Sequence, residues 1–204
     1  MPPYRLLYRL GVAPWERRDL DQTWSRAMEA MGNPAPGRAL DVGCGTGHDA
    51  VFLAKRGWRV TAVDSVEQAL TKARQRAADE GAQVQWIQGD VGKLGDLGLE
   101  PGYNLVYDFG CIQGLPDAGR RGAAAGVARL AGPGASLLVF AFMAGRRVFL
   151  PQGLDESDVV ALFGGDWDLE HTQSVPADDM PAFARRAQPT VYRLSRRDGA
   201  GPTA

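Results

Sequence analysis

Three alternating glycines in the stretch LDVGCGTGHD could hold a ligand close to the backbone. Gly43, Gly45 and Gly47 follow a short apolar run and precede a helical pattern, which predicts a strand-to-helix turn. In an open parallel sheet, ligands bind beyond the carboxyl ends of the strands, where such a turn lies. The dinucleotide fingerprint G-x-G-x-x-G is incomplete, because His48 stands at its third glycine position. The spacing favours a ligand whose sugar and amino-acid-like tail cross the turn; the alternative is a plain tight connection.

Acidic residues follow at intervals that suit one bound nucleoside. Asp64 ends the next apolar run, 21 residues after the first glycine, where a carboxylate can accept both hydroxyls of an unphosphorylated ribose. Asp90, in QGDV, is placed to accept from the exocyclic amine of adenine, and the Val91 amide can donate to a ring nitrogen. A further apolar run, YNLVYDF, ends in Phe109 at the same predicted edge. Together these features indicate an adenosine-containing ligand.

The elements that must position these residues alternate between strands and helices. Near-continuous apolar runs separated by helical patterns indicate an α/β fold, with a parallel sheet covered on both faces. The sequence predicts strands at RALDVG, WRVTAV, QVQWIQ, YNLVYDF, ASLLVFAF, DWDLEHTQ and PTVYRLSR. The fifth of these is introduced by a predicted turn, GPG. Helical spacing of apolar residues predicts helices over 47–56, 66–78, 118–131 and 155–163.

Three parts of the chain are distinguished by these patterns. A helix is predicted between Leu20 and Met31, and the linker GNPAPG ends it. We therefore expect residues 1–35 to form a helical cover segment, 36–197 the ligand-binding domain, and 198–204 a flexible tail. The first residues lack the apolar core of a secretory signal, and no run approaches the ~20 apolar residues of a membrane span. A cytoplasmic protein without membrane contact is expected.

Charge and cysteine content narrow the classes of partner. Lys plus Arg total 23 against 24 Asp plus Glu, so no excess positive charge is present to neutralise a nucleic-acid backbone. We therefore expect no nucleic-acid partner, and either a monomer or a homodimer. Cys44 and Cys111 are the two cysteines, and Cys44 lies inside the glycine turn, where a disulfide would obstruct a ligand. Both are interpreted as reduced thiols.

Several motifs together resemble those of class I S-adenosylmethionine-dependent methyltransferases. ALDVGCGTG is similar to the first motif of that family, VTAVD to the second, IQGDV to the third and YNLVYD to the fourth. LAGPGASLLVFAF resembles the segment leading into the family's fifth strand. The close resemblance covers about residues 38–142. It implies a Rossmann-like, seven-stranded, mostly parallel sheet whose last strand is antiparallel and inserted between the fifth and sixth.

The resemblance also implies a cofactor and the residues that bind it. The cofactor would be S-adenosyl-L-methionine, and the product S-adenosyl-L-homocysteine. No metal is expected. The residues expected to bind the cofactor are Asp41, Gly43, Cys44, Gly45, Gly47, Asp64, Ser65, Asp90, Val91 and Tyr107. Of these, Asp41 is expected to orient the glycine turn or a water beneath the donor rather than touch the acceptor.

The methyl acceptor is expected to be a small, partly hydrophobic molecule. The family motif N/D-P-P-Y/F of base and amide methylation is replaced here by YDFG, and the proposed pocket is aromatic. APWE, around Trp15, resembles the entry segment of thiopurine, thiol and tellurite methyltransferases. The aromatic residues of the N-terminal segment either cover the cleft or pack the first helix onto the core, and the two arginines either hold an anionic group or are solvated. The residues predicted to line the substrate pocket are Tyr4, Tyr8, Trp15, Phe109, Arg146, Arg147, Phe149, Met180 and Phe183.

Proximity and alignment of the methyl group are expected to carry most of the catalysis. Asp108 is the best-placed carboxylate for a general base; in the alternative, its backbone carbonyl and that of Gly43 merely receive the donor's amino group. His48 and His171 are interpreted as structural or surface residues, and Cys111 as a small buried thiol. Two rival functions stay open: a non-catalytic sensor of S-adenosylmethionine and a nicotinamide-dependent oxidoreductase.

Overall fold

The computed structural model describes residues 34–145, 152–176 and 187–197. The strands are β1 (Arg38–Val42), β2 (Arg59–Asp64), β3 (Val84–Gln88), β4 (Tyr103–Phe109), β5 (Ala131–Phe142), β6 (Trp167–Ser174) and β7 (Pro189–Arg196). The α-helices are α1 (His48–Ala54), α2 (Glu67–Asp79), α3 (Asp117–Leu130) and α4 (Glu156–Phe163). Two 3-10 helices, Val91–Asp96 and Ile112–Gly114, follow β3 and β4. The predicted N-terminal helix and the tail lie outside the described residues.

The strands form one seven-stranded sheet in the order β3-β2-β1-β4-β5-β7-β6. The first five strands run parallel, and β7 pairs antiparallel with both β5 and β6. The last strand is therefore inserted between the fifth and sixth, which confirms the expected fold class. Because the order reverses between β1 and β4, a crevice is expected beyond the carboxyl ends of these two strands.

Apolar side chains on both faces of the sheet bury it between two layers of helices. One core cluster joins the sheet to α3 and α4, and includes Val127 and Phe163. The other joins it to α1 and α2, and includes Leu53 and Leu70. The apolar face predicted for the second helix is confirmed, since Ala69, Leu70, Ala73 and Ala77 are all buried. Because helices of the described ranges cover both faces, a ligand is expected at the edge formed by the strand ends.

The start of the fifth strand differs from the prediction. The segment GPG was expected to be a turn before the strand, but β5 already begins at Ala131 and includes it. Tyr103 pairs with Ala131 and Leu105 with Ser136, so the register shifts between these two pairs. The chain accommodates the extra residues as an irregularity inside the strand, where Gly134 takes a positive φ of 65°. The prediction of a separate turn was therefore wrong.

Candidate functional site

The carboxyl ends of β1, β2, β3 and β4 bring the predicted residues to one edge of the sheet. Val42, the last residue of β1, pairs with Val63 on β2 and with Asp108 on β4. Asp64, the last residue of β2, pairs with Gln88 at the end of β3. The glycine turn and the QGDV segment leave the sheet directly beside these carboxylates. The arrangement expected from the sequence order is thus present in space.

The glycine turn satisfies most of its own N–H groups within the protein. Those of Gly43 and Cys44 donate to one carbonyl oxygen of β2 at 2.8 and 3.0 Å, and that of Gly47 donates to the Cys44 carbonyl at 2.9 Å. The N–H of Gly45 donates to Asp64 Oδ2 at 2.9 Å. These four amides are therefore engaged by protein acceptors. A phosphate group would need amides of this kind to be available.

Two positions of the turn require glycine for steric reasons. Gly43 has a φ of 77° and Gly47 a φ of 75°, both in the left-handed region. A Cβ on Gly43 would overlap the Cys111 side chain, and one on Gly47 would lie 2.5 Å from the Trp86 ring. The turn is thus packed tightly on its inner side, so its backbone forms a thin floor over which a ligand can lie.

Asp64 clamps the turn to the start of the next helix. Its Oδ2 accepts from Gly45, as described above, and its Oδ1 accepts from the Val66 N–H at 2.8 Å. Burial raises the pKa of Asp64, while these hydrogen bonds and one from Ser65 act in the opposite direction. A carboxylate offers about four lone-pair directions, so each oxygen keeps capacity for a further donor. The predicted contact with ribose hydroxyls is compatible with this geometry and stays a prediction.

The segment predicted to bind adenine forms the start of a short 3-10 helix. Asp90 is exposed and caps this helix, because its Oδ1 accepts from the Gly92 N–H at 2.9 Å. Val91 is buried, and as the first residue of a helix it has no intrahelical partner for its N–H. One carboxylate oxygen and one backbone donor therefore stand next to each other. This is the pair that the sequence predicted for adenine.

Below the turn, the carboxyl groups of Asp41 and Asp108 and the phenol of Tyr107 are buried. Asp41 is 1% exposed, its Oδ2 lacks a hydrogen-bond partner, and the Ala50 N–H at the start of α1 donates to the carboxylate. Burial, followed by the charges of Asp49, Asp64 and Asp108, raises the pKa of Asp41 well above its usual range. Burial and the neighbouring Asp49 likewise raise the pKa of Tyr107. Asp41 therefore connects β1 with the start of α1, and its expected role in orienting the glycine turn stays a prediction.

Asp108 is fully buried at the end of β4. Its Oδ1 accepts from the N–H groups of Cys111 and Ile112 at 2.9 and 3.1 Å, and its Oδ2 has no partner. Burial raises the pKa of Asp108 to about 7, although the two hydrogen bonds act in the opposite direction. The side chain holds the 3-10 helix against the strand end. A role of Asp108 as general base stays a prediction. Its burial favours the alternative, in which only the backbone carbonyl takes part, by accepting from the amino group of the donor.

Both cysteines are free and line the inner side of the turn. Burial raises the pKa of the Cys44 thiol and of the Cys111 thiol well above the ordinary value, and nearby carboxylates add to this. Thiols with raised pKa values are poor nucleophiles at neutral pH. The interpretation of both residues as reduced, unreactive thiols is consistent with these environments.

Two residues that sequence reasoning missed also shape the site. Arg76 on α2 donates from Nε to the carbonyl of Thr46 at 3.0 Å and so holds the outside of the glycine turn. Gln113 is buried, and its Oε1 accepts from the Phe142 N–H at 2.8 Å, joining the ends of β4 and β5. No spacing rule connects Arg76 with a turn 30 residues earlier. The buried polar Gln113, between Ile112 and a glycine, carried no recognisable motif.

The acceptor side of the site is described only in part. Phe109 stacks on Phe140 with ring centroids 4.1 Å apart, and Phe140 meets Phe142 edge to face at 5.7 Å. These three rings form an aromatic wall at the ends of β4 and β5. The other residues predicted to line the substrate pocket lie outside the described residues: Tyr4, Tyr8, Trp15, Arg146, Arg147, Phe149, Met180 and Phe183.

The described residues provide neither a metal-binding cluster nor a membrane-spanning helix. Within the three described ranges, no group of at least three His, Cys, Asp or Glu side chains is arranged to hold a metal ion. In the same ranges, none of the helices combines the length and apolar character that crossing a bilayer requires.

Comparisons with known proteins agree with the geometry. A family model described as a methyltransferase domain matches residues 39–134. The chain is 32% identical over 144 residues to the S-adenosyl-L-methionine-dependent Diels-Alderase iliD of Neonectria sp., which covers 71% of this chain and 53% of that protein. It is 27% identical over 135 residues to the 2-heptyl-1-hydroxyquinolin-4(1H)-one methyltransferase of Mycobacteroides abscessus, covering 60% and 59%. The chain therefore spans little more than half the length of these relatives.

A solved structure shares the fold over almost the whole chain. It is the 1,6-didemethyltoxoflavin-N1-methyltransferase of Burkholderia thailandensis, determined with 1,6-didemethyltoxoflavin and S-adenosylhomocysteine bound. The two chains superimpose with a TM-score of 0.75 at 21% identity, over 96% of this chain and 86% of that one. At this identity, the likeness concerns the fold.

Proposed function

The chain belongs to the class I S-adenosylmethionine-dependent methyltransferase family, and from this premise we propose that it transfers a methyl group from S-adenosyl-L-methionine to a small molecule. The observation that carries the proposal is a glycine turn surrounded by carboxylates, with four of its amides already engaged by protein acceptors. Such a site suits a phosphate-free nucleoside that carries positive charge.

The residues around the turn fit this cofactor better than they fit a dinucleotide. None of the ion pairs within the described ranges involves Asp41, Asp64 or Asp108, so no side-chain cation there neutralises them. Acidic groups without a cation partner can ionise beside a bound sulfonium or ammonium and so stabilise it, whereas they offer nothing to offset the negative charge of a pyrophosphate. The four engaged amides would also have to be freed before they could bind phosphate. Both effects argue against the nicotinamide-dependent oxidoreductase.

Each part of the proposed cofactor site has one task in holding the donor. Asp64 would accept from the ribose hydroxyls, and Asp90 with the Val91 amide would recognise the adenine edge. The backbone of the glycine turn would support the amino-acid tail, because Gly43 and Gly47 let the turn pack directly onto Cys111 and Trp86 on its inner side. When bound, the cofactor supplies an electrophilic methyl group on a positively charged sulfur.

The chain's contribution to the reaction is then mainly position and exclusion of water. Holding two reactants in line can lower the barrier by roughly 7 to 11 kcal/mol without any proton transfer. The partly exposed rings of Phe109 and Phe142, which pack on the buried Phe140, would give a flat acceptor a surface on which to stack. The segments outside the described residues, with Tyr4, Tyr8 and Trp15, remain our proposed cover. A general base is not required by this arrangement.

We propose a flat, partly hydrophobic acceptor with a sulfur, nitrogen or oxygen nucleophile. The aromatic wall supports this class, and two similar proteins are named as methyltransferases of 2-heptyl-1-hydroxyquinolin-4(1H)-one and of 1,6-didemethyltoxoflavin. The near-balance of 23 basic and 24 acidic residues supports a small molecule over a nucleic acid.

A second function is favoured by one of the relatives. The Neonectria protein is named as an S-adenosyl-L-methionine-dependent Diels-Alderase, and a Diels–Alder reaction involves no methyl transfer. In that alternative, the cofactor would be bound without being consumed, as it would also be in a non-catalytic sensor. The glycine turn and its carboxylates would serve all three roles equally well.

Labelled cofactor distinguishes these functions. The protein is incubated with S-adenosylmethionine carrying a 13C methyl group and a panel of thiols, phenols and N-heterocycles, and the products are analysed by mass spectrometry. We expect one acceptor class to gain a labelled methyl group while S-adenosylhomocysteine accumulates in equal amount. Tight cofactor binding without label transfer to any acceptor would instead favour the Diels-Alderase or sensor alternative.

A further inference from the structure

We propose that Asp108 makes the site distinguish the positively charged donor from its uncharged-sulfur product: binding of S-adenosylmethionine releases the Asp108 proton to solvent, and binding of S-adenosylhomocysteine retains it. The inference rests on the proposed function, because it assumes that these two compounds bind at the glycine turn.

The contacts of Asp108 place it next to the cofactor site. Its Oδ1 accepts from the Cys111 N–H, and the Cys111 side chain packs where a Cβ on Gly43 would lie. Val42, which precedes Gly43, is its register partner on β1. Asp108 is therefore separated from the glycine turn by a single layer of packed atoms.

The carboxylate is buried without a compensating cation. Its Oδ2 has no hydrogen-bond partner, and within the described ranges no lysine or arginine forms an ion pair with it. A buried carboxyl group with an unsatisfied oxygen favours its neutral form, and this agrees with the raised pKa of about 7. Near neutral pH the group therefore exchanges readily between the acid and the carboxylate.

The neighbouring titratable groups do not reverse this balance. Three groups interact electrostatically with Asp108, and each would carry a negative charge when ionised: Asp41 on β1, Tyr107 on β4 and Cys111 in the following loop. Arg120 on α3 donates to the backbone carbonyls of Gln113 and Leu115 rather than to the carboxylate. A cation brought by a ligand is thus the natural partner for the ionised form.

The sulfonium of the donor provides that cation, and the thioether of the product does not. A positive charge near a buried carboxyl lowers its pKa, so donor binding shifts Asp108 towards the carboxylate and its proton leaves to the buffer. The ammonium group is common to both compounds and cannot discriminate between them. After methyl transfer the carboxylate loses its partner and takes up a proton again, which favours release of the product.

Proton release can be measured directly by isothermal titration calorimetry. Wild-type protein is titrated with S-adenosylmethionine and with S-adenosylhomocysteine near pH 7, in buffers of different ionisation enthalpy, and the affinities are measured between pH 6 and pH 8. We expect a fractional proton to be released with the donor and markedly less with the product. The donor affinity should rise about tenfold over this range relative to Asp108→Asn, as linkage to one group near pH 7 requires.

Two variants assign the effect to this residue. Asp108→Asn keeps an oxygen for the Cys111 and Ile112 N–H groups and removes the charge, so it should abolish proton release and weaken donor binding more than product binding. Asp96→Asn, which removes an exposed carboxylate, is the matched control and should behave as wild type. Titration of the ligand's own ammonium occurs in every protein and cancels in the comparison.

The outcomes separate the inference from the proposed function. Equal proton release with both ligands, or release that persists in Asp108→Asn and disappears in Asp41→Asn, would overturn the role given to Asp108. The wild-type measurement decides the first of these even if Asp108→Asn does not fold. Binding of neither compound by folded wild-type protein would overturn the proposed function, and the inference with it.

Discussion

Carboxylates at two edges of the sheet are treated in opposite ways. At the ends of β1 and β4, Asp41 and Asp108 are buried and each has an oxygen without a partner. At the far edge, Asp168 on β6 is exposed and pairs with Arg197 at 2.8 Å, and Glu170 accepts from Ser195. At the far edge, the charges form ordinary exposed pairs. At the glycine-turn edge, each buried carboxyl group leaves one oxygen without the hydrogen bond that buried polar groups normally make.

The difference shows where the fold gives up stability for a ligand. Burying an unpaired carboxyl costs free energy, and a protein keeps such groups where another function requires them. The four engaged amides and the buried acids together prepare a site for a cation before the cation arrives. Substitutions at the two edges should therefore have different consequences, as follows.

The largest effect is expected in the pH dependence of stability. Burial raises the folded-state pKa of Asp108 to about 7 from its ordinary value of 3.8, so its contribution to stability is fully present below the lower value and is lost as pH rises through the higher one. Relative to Asp108→Asn, wild type should lose free energy of unfolding on the order of 4 kcal/mol between pH 4 and pH 8. Urea denaturation at several pH values measures this, and parallel curves for the two proteins would contradict it.

A second large effect is expected from adding a side chain where the turn packs against Cys111. Gly43→Ala combines a positive φ with overlap onto Cys111, so the free energy of unfolding should fall by about 3 kcal/mol and cofactor binding should be lost. Gly81→Ala is the matched control, because its φ is 66° but nothing lies within 4 Å of an added Cβ. It should cost about 1 kcal/mol and leave binding intact. Equal losses in thermal or urea denaturation would show that Gly43 is not tightly packed.

Removing the clamp at the end of β2 should weaken cofactor binding selectively. Asp64→Ala deletes the acceptor for Gly45 and Val66 and the predicted ribose contacts, so S-adenosylmethionine affinity should fall by roughly 2 kcal/mol, or more than tenfold. Calorimetric titration measures the change. An affinity equal to that of wild type would show that Asp64 does not contact the ribose.

The smallest effect is expected at the far edge. Asp168→Ala breaks the exposed pair with Arg197, in which the two side chains are 55% and 47% exposed. Such pairs contribute about 1 kcal/mol or less, so stability should change little and cofactor affinity not at all. A loss of cofactor binding in Asp168→Ala would contradict the proposed difference between the two edges.

Much of the fold could be predicted because its local signals agree with one another. Apolar strands separated by amphipathic helices define the α/β class, and the ends of β4 and β7 match the predicted runs YNLVYDF and PTVYRLSR. The start of β5 could not be predicted, since its glycines and proline indicate a turn locally, while the pairs that Ala131 and Ser136 make with β4 on either side of them keep them within the strand. Tertiary pairing overrode local turn chemistry there.

The location of the candidate site residues at strand ends could be predicted, whereas long-range contacts to the site could not. Gly43, Asp64 and Asp90 follow strands directly, so sequence order alone brings them to one edge. Arg76 and Gln113 reach the site only through packing between elements, which no spacing reveals. The raised pKa of Asp108 likewise depends on burial from several elements at once.

Side-by-side calorimetric titration with S-adenosylmethionine and NAD+ tests the central claim most directly, because the two ligands share adenosine and differ in phosphate and in the charge they bring to the turn. Because carboxyl groups surround the glycine turn and its amides are engaged, the protein should bind S-adenosylmethionine at least a hundredfold more tightly than NAD+. This ratio corresponds to an electrostatic preference of about 3 kcal/mol. Comparable affinity for NAD+, or preference for it, would contradict the account.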